Sequence, residues 1–541
     1  MSVLKITGLS LNAGQQQLVH DLHLSIEKQQ WLALIGESGS GKTLTGLAIA
    51  GLLPQAVRMT NGEILVKGQS LSELSAQQIN GLRGKEIAYV FQDYAGMFSP
   101  FIRLGKQLDE TLQAHRGLGR KERKKQILTC LEEVRLPAER IFKSYPCELS
   151  GGQLQRVTIA AAMLLQPKLL IADEPTTALD QATGEEILGL LKEMQERIGC
   201  AILFITHDLR HVRRYADQVA IMRGGCVLES GDVRSVLEQP AHFYTKQLLA
   251  AESALLSSPT RTLEQEARLQ LVDADQTMLD QGTGPASTRG NAMLSAQNLV
   301  KTYPQGIKAL DQVSFTLKAG ECLGLVGESG SGKSTMARCL MLMEPLDEGE
   351  LLFQQMPLHK RKAAARSFIN GRIQTVFQNP AASLNPRLTI VNSLMEPLDV
   401  FKDKTPAFLG DSRYKRDEAA ALLLDMVGLP ASVMRQYPHE LSGGQKQRVC
   451  IARAISIAPD FIILDEPTAS LDMIIQAQIL KLLQRLQQQL GFACLFISHD
   501  LAAVQFMCSR MMVLERGKIT IEDARFPAST IGKYRSILGL H

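Results

Sequence analysis

The sequence lacks the features that mark several specialised classes of protein. Its nine cysteines are scattered from Cys130 to Cys508 without a C-x-x-C pair, which argues against a zinc or iron–sulfur site and a disulfide framework, and for a reducing compartment. No basic segment followed by a long apolar run opens the chain, so we expect no signal peptide. The most apolar stretch near the start, residues 44–54, is about half as long as a membrane-spanning helix. We therefore expect a chain that does not span a bilayer but can rest against a membrane protein.

The sequence also lacks a large excess of either sign of charge, since 59 Lys and Arg residues oppose 55 Asp and Glu residues and leave a net charge of +4. So small a balance disfavours bulk binding of nucleic acid. Apolar residues make up 45% of the chain and charged residues 21%, as in ordinary globular proteins. The 541 residues are too many for one compact core, and such a length predicts about two to four domains.

The sequence does contain a duplication. The octet GESGSGKT at 36–43 returns as GESGSGKS at 327–334, which places the two lysines 291 residues apart. Three further motifs recur at an offset of 292 residues, namely LSGGQ at 149–153 and 441–445, DEPT at 173–176 and 465–468, and HDL at 207–209 and 499–501. Only the FQ pairs, which end at Gln92 and Gln378, are 286 residues apart. The chain is therefore predicted to consist of two homologous halves.

The stretch between the halves, residues 252–292, ends in many Gly, Pro, Ser and Thr residues, with acidic residues before them. This composition predicts a mobile tether with one short helix over 262–272. We therefore expect a first domain with a short C-terminal extension over 1–251, a linker over 252–292, and a second domain over 293–541.

Short apolar runs lead directly into the motifs, as WLALIG does before the first octet and FIILD does at the second acidic pair. Such runs predict buried parallel strands. Helical spacing appears in two stripes 292 residues apart: Ile187, Leu190, Leu191, Met194 and Ile198, and Ile479, Leu482, Leu483, Leu486 and Leu490. The fold class predicted is α/β, with the motif residues at strand ends, where open parallel sheets bind ligands.

Each octet follows a predicted strand and precedes a predicted helix, over 44–53 in the first half, which is the context that a P-loop requires. Glycines let backbone N–H groups turn toward the phosphates, and the helix N-terminus adds partial positive charge. We expect the two lysines to reach the β/γ-phosphates, and Thr43 and Ser334 to place a hydroxyl on Mg²⁺. The predicted phosphate-binding residues are Gly36, Glu37, Ser38, Gly39, Ser40, Gly41, Lys42 and Thr43, and Gly327, Glu328, Ser329, Gly330, Ser331, Gly332, Lys333 and Ser334.

An acidic pair ends a predicted strand in each half, Asp173–Glu174 in the first and Asp465–Glu466 in the second. Because adjacent side chains at a strand end point in different directions, we expect each aspartate to serve the Mg²⁺ shell and each glutamate to face an attacking water. An isolated acidic pair would be explained equally well as a surface turn. The P-loops favour the catalytic interpretation.

His207 and His499 follow strands, and we expect them to hold the γ-phosphate and the water in line. Gln92 and Gln378 follow the strands IAYVF and IQTVF, and a neutral amide there can contact Mg²⁺ and water without adding charge. A lone histidine after a strand is more often structural, and a lone glutamine carries no signal. These four predictions therefore depend on the repeat.

Each LSGGQ places a serine and paired glycines before a helix, which gives each half a second helix N-terminus suited to a phosphate. One nucleotide has one γ-phosphate, so we expect this element to serve the other half's nucleotide. Two halves arranged head to tail would sandwich two ATP molecules, and fusion would keep each partner at high effective concentration. The residues concerned are Ser150, Gly151, Gly152 and Gln153, and Ser442, Gly443, Gly444 and Gln445.

Together these motifs resemble the signature set of the ATP-binding cassette (ABC) family, in the family's order, over nearly the whole chain apart from the tether. The D-loops of the family match TALD, which ends at Asp180, and ASLD, which ends at Asp472. The resemblance implies a RecA-like P-loop core, an antiparallel β subdomain and a helical subdomain in each half. It also implies Glu174 and Glu466 as the catalytic bases of an ATPase.

Other segments are similar to those of peptide and nickel importers, namely FQDYAGMFSP, FQNPAASLNP, YPCELSGGQ, YPHELSGGQ, and the extension HFYTKQLLAA at 242–251. The resemblance implies the two ATPase subunits of such an importer fused into one chain. Two membrane permease subunits would rest on the helical subdomains, near 93–148 and 379–440, and a substrate-binding protein would be a separate chain. It further implies a peripheral place on the cytoplasmic face of the inner membrane and no nucleic-acid partner. The cargo stays open among peptides, nickel and metal–chelator complexes.

The chain departs from the family's pattern in two places. The family stacks adenine on an aromatic residue upstream of the P-loop, and Tyr303 fits that place, whereas LSLNAG in the first half offers none. We therefore expect adenine to be held less tightly in the first half. Members of the group sometimes carry a cysteine cluster after the cassette, but no cysteine lies between Cys226 and Cys322, so we expect no iron–sulfur cluster. Both halves keep every other expected catalytic residue, so both are predicted to hydrolyse ATP.

The alternative class is a soluble tandem-cassette translation factor acting on ribosomes. Such factors resemble this chain in length, but their linker is a long, strongly basic helical pair suited to RNA. Here residues 252–292 hold three arginines against six acidic residues, which disfavours RNA. A DNA-repair cassette protein is a weaker alternative, because the sequence has neither its zinc cysteines nor its coiled-coil insertion.

Overall fold

The structure is a computed structural model that describes most of the chain. The described residues are 2–177, 179, 181–256, 292–328, 330–358, 362–402, 404, 406–410, 415–469 and 471–523. The chain forms two compact units, the first consisting mainly of Met1–Glu252 and the second mainly of the residues that follow. The predicted helix over 262–272 and most of the predicted tether lie outside the described residues. The domain boundaries stay a prediction.

The first unit contains two sheets. Its strands are β1 (Ser2–Ala13), β2 (Gln16–Glu27), β3 (Trp31–Gly36), β4 (Val57–Val66), β5 (Gln69–Ser70), β6 (Ile87–Val90), β7 (Leu169–Asp173), β8 (Ala201–Ile205), β9 (Gln218–Arg223) and β10 (Cys226–Asp232). An antiparallel sheet has the order β2-β1-β4-β5. A second sheet has the order β10-β9-β3-β8-β7-β6, and within it only β10 runs antiparallel to its neighbour.

Three adjacent strands in the six-stranded sheet are buried along their whole length. Every residue of β3, β7 and β8 is buried. Strands covered on both faces have unbroken apolar sequences, which is why their runs could be recognised before the motifs. Because these strands are parallel, their carboxyl ends lie at the same edge of the sheet, and the P-loop, the acidic pair and the histidine all follow at that edge.

Helices connect the strands of the first unit. They are α1 (Lys42–Ile49), α2 (Ala76–Leu82), α3 (Leu104–His115), α4 (Arg120–Glu133), α5 (Ala138–Lys143), α6 (Gly151–Met163), α7 (Gln181–Ile198), α8 (Leu209–Tyr215), α9 (Val233–Glu238) and α10 (Phe243–Leu256). In α7 the predicted stripe faces the core, with Ile187, Leu191 and Met194 at most 2% exposed. Helix α1 begins two residues earlier than predicted, because Gly41 with φ 98° caps it just before Lys42.

The second unit repeats this topology. Its strands are β11 (Ala292–Tyr303), β12 (Ile307–Lys318), β13 (Cys322–Val326), β14 (Glu348–Phe353), β15 (Met356–Pro357), β16 (Ile373–Val376), β17 (Phe461–Asp465), β18 (Ala493–Ile497), β19 (Arg510–Glu515) and β20 (Lys518–Asp523). Its sheets have the orders β12-β11-β14-β15 and β20-β19-β13-β18-β17-β16, so each strand occupies the place of the strand numbered ten lower in the first unit.

The helices of the second unit follow the same plan. They are α11 (Lys333–Leu340), α12 (Lys362–Ile369), α13 (Pro380–Ser383), α14 (Ile390–Val400), α15 (Arg416–Met426), α16 (Gly443–Ile455), α17 (Met473–Leu490) and α18 (Leu501–Met507). The predicted fold class is confirmed: each half is an α/β unit in which a P-loop core, an antiparallel sheet and a group of helices are combined. Over the residues that the structure covers, no helix has both the length and the apolar character needed to cross a bilayer.

Candidate nucleotide-binding sites

The P-loops leave their strands where only glycine fits. A Cβ atom on Gly36 would lie 1.9 Å from the carbonyl oxygen of Met222, and one on Gly327 would lie 2.3 Å from that of Leu514. Atoms cannot approach so closely, so neither position accepts a side chain without movement of the neighbouring strand. The close approach packs the start of each loop against the sheet.

The P-loop lysines are held against the backbone of their own loops. The Lys42 ammonium donates to the carbonyl oxygens of Gly36 at 2.8 Å and of Glu37 at 2.7 Å. Lys333 makes the equivalent two bonds, each of 2.7 Å. Burial lowers the pKa of Lys42, although the carboxylates near it act in the opposite direction. Each lysine is therefore a buried cation anchored at the loop where a phosphate is predicted to bind.

In the first unit, the Thr43 hydroxyl lies 3.3 Å from Asp173 Oδ1, and the Tyr89 hydroxyl donates to Oδ2 of the same carboxylate at 2.9 Å. Asp173 is only 2% exposed, and burial raises its pKa. Hydroxyl and carboxylate oxygens are the ligands that Mg²⁺ prefers, so Thr43 and Asp173 fit a magnesium ion.

The equivalent carboxylate in the second unit is held differently. No hydrogen bond joins Ser334 to Asp465, both of which the structure describes, and Ser334 is exposed. The place of Tyr89 in the strand is taken by Thr375, whose hydroxyl contacts Met341 Sδ at 2.5 Å. Burial, followed by the charge of Glu466, raises the pKa of Asp465 to about 6. The same oxygen donor set is present, but it is less constrained.

The predicted catalytic side chains of the first unit lie together. Glu174 Oε1 is 3.3 Å from His207 Nδ1, and its Oε2 accepts from Gln92 Nε2 at 3.0 Å. Oε2 also accepts from the Thr177 hydroxyl at 2.8 Å. Glu174 has φ 46°, an uncommon conformation for a residue with a side chain. The predicted base is thus one of the non-glycine residues that adopt this conformation, and such strain is frequent at functional sites.

The second unit reproduces this cluster with one difference. Glu466, with φ 47°, lies 3.0 Å from His499 Nδ1 and accepts from Gln378 Nε2 at 2.7 Å. Ala469 stands where the first unit has Thr177, so the corresponding hydroxyl does not exist.

The glutamate and histidine of each cluster shift one another's pKa. Burial would raise the pKa of Glu174, but the hydrogen bond and charge of His207, together with the Thr177 hydrogen bond and the Lys42 charge, outweigh it and lower the pKa to about 2. Burial would lower the pKa of His207, and the hydrogen bond and charge of Glu174 instead raise it. The pKa values of Glu466 and His499 move in the same directions for the same reasons. Each pair is therefore favoured as a carboxylate beside an imidazolium.

The LSGGQ serines cap helices, as the sequence predicts. The Ser150 hydroxyl accepts from the backbone N–H of Gln153 at 3.3 Å, and the Gln153 side chain accepts from the Ser150 N–H at 3.2 Å. Ser442 and Gln445 make the same reciprocal bonds at 3.3 and 2.9 Å. Both serines are exposed at the N-terminus of a 13-residue helix. Each position is open to an anionic partner.

Tyr303, the predicted adenine-stacking residue, is the last residue of β11, and β1 ends instead at Ala13. The Tyr303 hydroxyl donates to Glu344 Oε2 at 2.5 Å and accepts from Arg338 Nη2 at 3.3 Å. These bonds fix the ring beside the P-loop helix of the second unit. The first unit has no aromatic residue at that strand end.

The structure also places residues that the sequence analysis missed and leaves two predictions outside its reach. Tyr89 and Thr177 contact the acidic pair, yet neither was singled out. The signal available for Tyr89 was a hydroxyl within an otherwise apolar strand.

Two of the predicted residues, Ser329 of the second P-loop and Asp180 of the first D-loop, lie outside the described residues.

Each unit has a P-loop, an acidic pair, a glutamine and a histidine at one edge of its own six-stranded sheet. These features define the chain as a P-loop ATPase with two candidate sites. The family model described as "ABC transporter" matches residues 19–177 and again residues 310–469. The chain belongs to the ABC transporter family of ATPases.

Similar proteins carry both cassettes in one chain. The "Uncharacterized ABC transporter ATP-binding protein YejF" of Escherichia coli strain K12 is 41% identical over 524 residues, covering 96% of this chain and 95% of that protein. The "Glutathione import ATP-binding protein GsiA" of Salmonella paratyphi A is 38% identical over 540 residues, covering 96% of this chain and 85% of that protein. A solved structure, the ATP-binding cassette MJ0796 in a post-hydrolysis dimer bound to ADP and Pi, is 33% identical; it covers 43% of this chain and 98% of that chain, with a TM-score of 0.38.

Proposed function

We propose that this chain is the ATP-hydrolysing subunit of an ABC importer and that it contributes both nucleotide-binding domains. The observation that carries the proposal is the repeated cluster of glutamate, histidine and glutamine beside a P-loop lysine in both units. The import direction rests on the relatives, among which glutathione import proteins match over nearly the whole chain. A small peptide is the cargo class that these relatives favour over nickel or a metal–chelator complex.

In the proposed mechanism, the two P-loop lysines balance the charge of the β/γ-phosphates. A Mg²⁺ ion, when bound, would neutralise developing charge on the phosphate oxygens. Its protein ligands would be Thr43, Asp173 and Gln92 in the first site, and in the second site Ser334, Asp465 and Gln378.

Glu174 and Glu466 are the proposed general bases that take a proton from the attacking water. A carboxylate whose pKa is about 2 is a weak base, and the His207 contact contributes most to lowering the pKa of Glu174. If His207 gave its hydrogen bond to a phosphate oxygen instead, the pKa of Glu174 would rise, and the carboxylate would become a stronger base. The proposed roles of His207 and His499 are therefore to position the γ-phosphate and to release the base.

The proposed assembly is an intramolecular head-to-tail dimer of the domains over 1–251 and 293–541. In it the exposed Ser150 and Ser442 caps would each contact the nucleotide bound by the other domain. ATP would hold the domains together, and hydrolysis would let them part. Two membrane permease subunits would follow that motion at the cytoplasmic face of the inner membrane, and a separate substrate-binding protein would deliver the cargo.

The proposal is tested by ATP hydrolysis of the purified chain. Glu174→Gln combined with Glu466→Gln should lower turnover at least about 100-fold while ATP binding persists, because the bases are removed but the phosphate contacts remain. Glu196→Gln, on the exposed side of α7, is the matched control and should leave turnover unchanged. Unaltered turnover in the double variant would show that the bases are assigned wrongly.

Cofractionation tests the partner class. We expect the chain in membranes that contain its permeases, whereas recovery with ribosomes would support a translation factor. The relatives are transporter proteins and give that alternative no support.

A further inference from the structure

Helix α10 lies directly after the first cassette and carries the segment 242–251 that resembles the extension of peptide importers. The described part of α10 is anchored to the first unit at both ends. At its N-terminal end, Glu229 of β10 accepts from the backbone N–H groups of Ala241 at 2.8 Å and His242 at 3.1 Å, and from the Thr245 hydroxyl at 2.5 Å. A carboxylate at this end also complements the partial positive charge of the helix N-terminus.

The other end of α10 is tied to the helix that follows the switch histidine. Arg213 of α8 donates to Glu252 at 2.7 Å, and the Glu252 side chain is only 9% exposed. Between the two anchors, Leu248 is 4% exposed and packs in the core of the unit. Three independent contacts therefore fix the direction of the helix.

From this fixed helix, Tyr244 projects toward the first P-loop. Its side chain is 1% exposed, and the Arg223 guanidinium lies over its ring at 4.7 Å from the centroid. The same guanidinium pairs with Glu37, the second residue of the P-loop, at 3.3 Å. Burial, followed by the charge of Glu37, raises the pKa of Tyr244, so the phenol stays neutral beside the loop. A continuous chain of contacts thus runs from the helix to the phosphate-binding loop.

Over the residues that the structure describes, which end at residue 523, the second unit does not repeat these contacts, although its described strands and helices occupy the same places. The fifth residue of α8 is Arg213, and the fifth residue of α18 is Gln505. The last residue of β9 is Arg223, whereas the last residue of β19 is Glu515, a reversal of charge. The residue matching Glu229 in β20 is Ile521. All three partners of α10 are therefore particular to the first half.

We propose that α10 is a positioning element for the first nucleotide site, in which Tyr244 and Arg223 hold the Glu37 end of the P-loop in its ATP-binding conformation. Arg223 acts through Glu37 and does not itself contact the nucleotide. The first site lacks the aromatic strand end that Tyr303 gives the second, and α10 supplies a different means of ordering its loop. This inference rests on the proposed binding of ATP by both P-loops.

The test measures ATP affinity at each site separately with a fluorescent ATP analogue. Lys333→Ala in the full chain leaves the first site to be measured, and Lys42→Ala leaves the second. Arg223→Ala should weaken binding at the first site about three- to ten-fold, since an ion pair and a cation–π contact are both lost. It should raise the KM for ATP at that site with little change in kcat, because the catalytic cluster is untouched. Arg223→Lys should restore most of the affinity.

Matched controls separate positioning from general damage. Lys246→Ala removes an exposed cation from α10 itself and should change neither site, and Arg223→Ala should leave the second site unaffected. Because the Arg223 side chain is about half exposed, its removal should not unfold the unit. A second variant, Tyr244→Phe, keeps the aromatic ring and should lower ATP affinity at the first site less than Arg223→Ala does. Equal affinity of Arg223→Ala and the parent at the first site, or equal losses at both sites, would overturn the inference. If the unsubstituted chain binds no ATP at either site, the proposed function itself fails.

Discussion

The ion pair of Glu174 and His207 makes the stability of the first unit depend on pH. The pKa of Glu174 is depressed from 4.5 to about 2, so its contribution is present above pH 4.5 and is lost as the pH falls toward 2. The pKa of His207 is raised from 6.5, so its contribution is complete below pH 6.5 and is lost as the pH rises through the folded value. The pair should therefore stabilise most between about pH 4.5 and pH 6.5.

Glu174→Gln removes the charge and keeps the shape of the side chain. The lowering of the Glu174 pKa corresponds to at most about 3.5 kcal/mol, at about 1.4 kcal/mol for each pKa unit. The His207 side chain is 35% exposed, so solvent screening reduces the expected effect to about 1–2 kcal/mol. We expect the substitution to lower the free energy of unfolding by that amount at pH 6, and by progressively less as the pH rises through the raised pKa of His207, where the histidine loses its proton.

The chain offers a reporter for the first unit alone. Trp31, its single tryptophan, is fully buried in β3 directly before the first P-loop. Its fluorescence in a urea titration follows the unfolding of that unit, and Glu466→Gln in the other unit is the matched control that should leave the transition in place. A double-mutant cycle with His207→Gln isolates the pair. A difference that does not diminish as the pH is raised from 6 through the alkaline range, or that grows with pH, would refute the assignment.

Three more outcomes follow from the contacts of the sites. Tyr89→Phe should weaken binding of ATP with Mg²⁺ at the first site about ten-fold but leave metal-free binding in EDTA nearly unchanged, because Asp173, the proposed magnesium ligand, loses a hydrogen bond. In titrations with a fluorescent ATP analogue, Thr375→Tyr should have the reverse effect at the second site. Gly36→Ala should abolish nucleotide binding at the first site alone, because the added Cβ would lie 1.9 Å from the carbonyl oxygen of Met222 in the neighbouring strand β9. Titration of each site separately with the fluorescent ATP analogue checks this. Ser150→Ala and Ser442→Ala should each lower the free energy of unfolding by about 1 kcal/mol, because a helix cap is lost. Each should also reduce ATP turnover by more than this loss of stability explains. Turnover equal to that of the parent would contradict the proposed contact of these serines with nucleotide.

Apolar runs next to motifs predicted the strands of the core well. WLALIG and FIILD coincide with β3 and β17 residue for residue, because buried parallel strands have no polar face to interrupt the apolar pattern. The start of α1 was predicted two residues late, since the apolar pattern begins at Leu44 while Gly41 already caps the helix. Periodicity detects the buried side of a helix and not its cap.

The features that distinguish the two sites could not be predicted from motifs. Tyr89 contacts Asp173 only because β6 and β7 are adjacent parallel strands with a particular register. Arg223 meets Glu37 and Tyr244 across 186 and 21 positions of sequence, a combination that only the folded chain creates. Motifs report the residues that both halves share, whereas these contacts depend on residues that the halves do not share.

The exchange of Tyr89 for Thr375 has a consequence for how such a chain can change over time. In an ATPase built from two copies of one subunit, every substitution is expressed in both pockets, so a variant that slows one pocket slows the other as well. Joining the copies removes that constraint, and a single replacement in strand β6 or β16 alters the surroundings of one of the two proposed magnesium ligands, Asp173 and Asp465, while those of the other stay the same. The fused gene can thus assign long retention of nucleotide to one pocket and rapid turnover to the other.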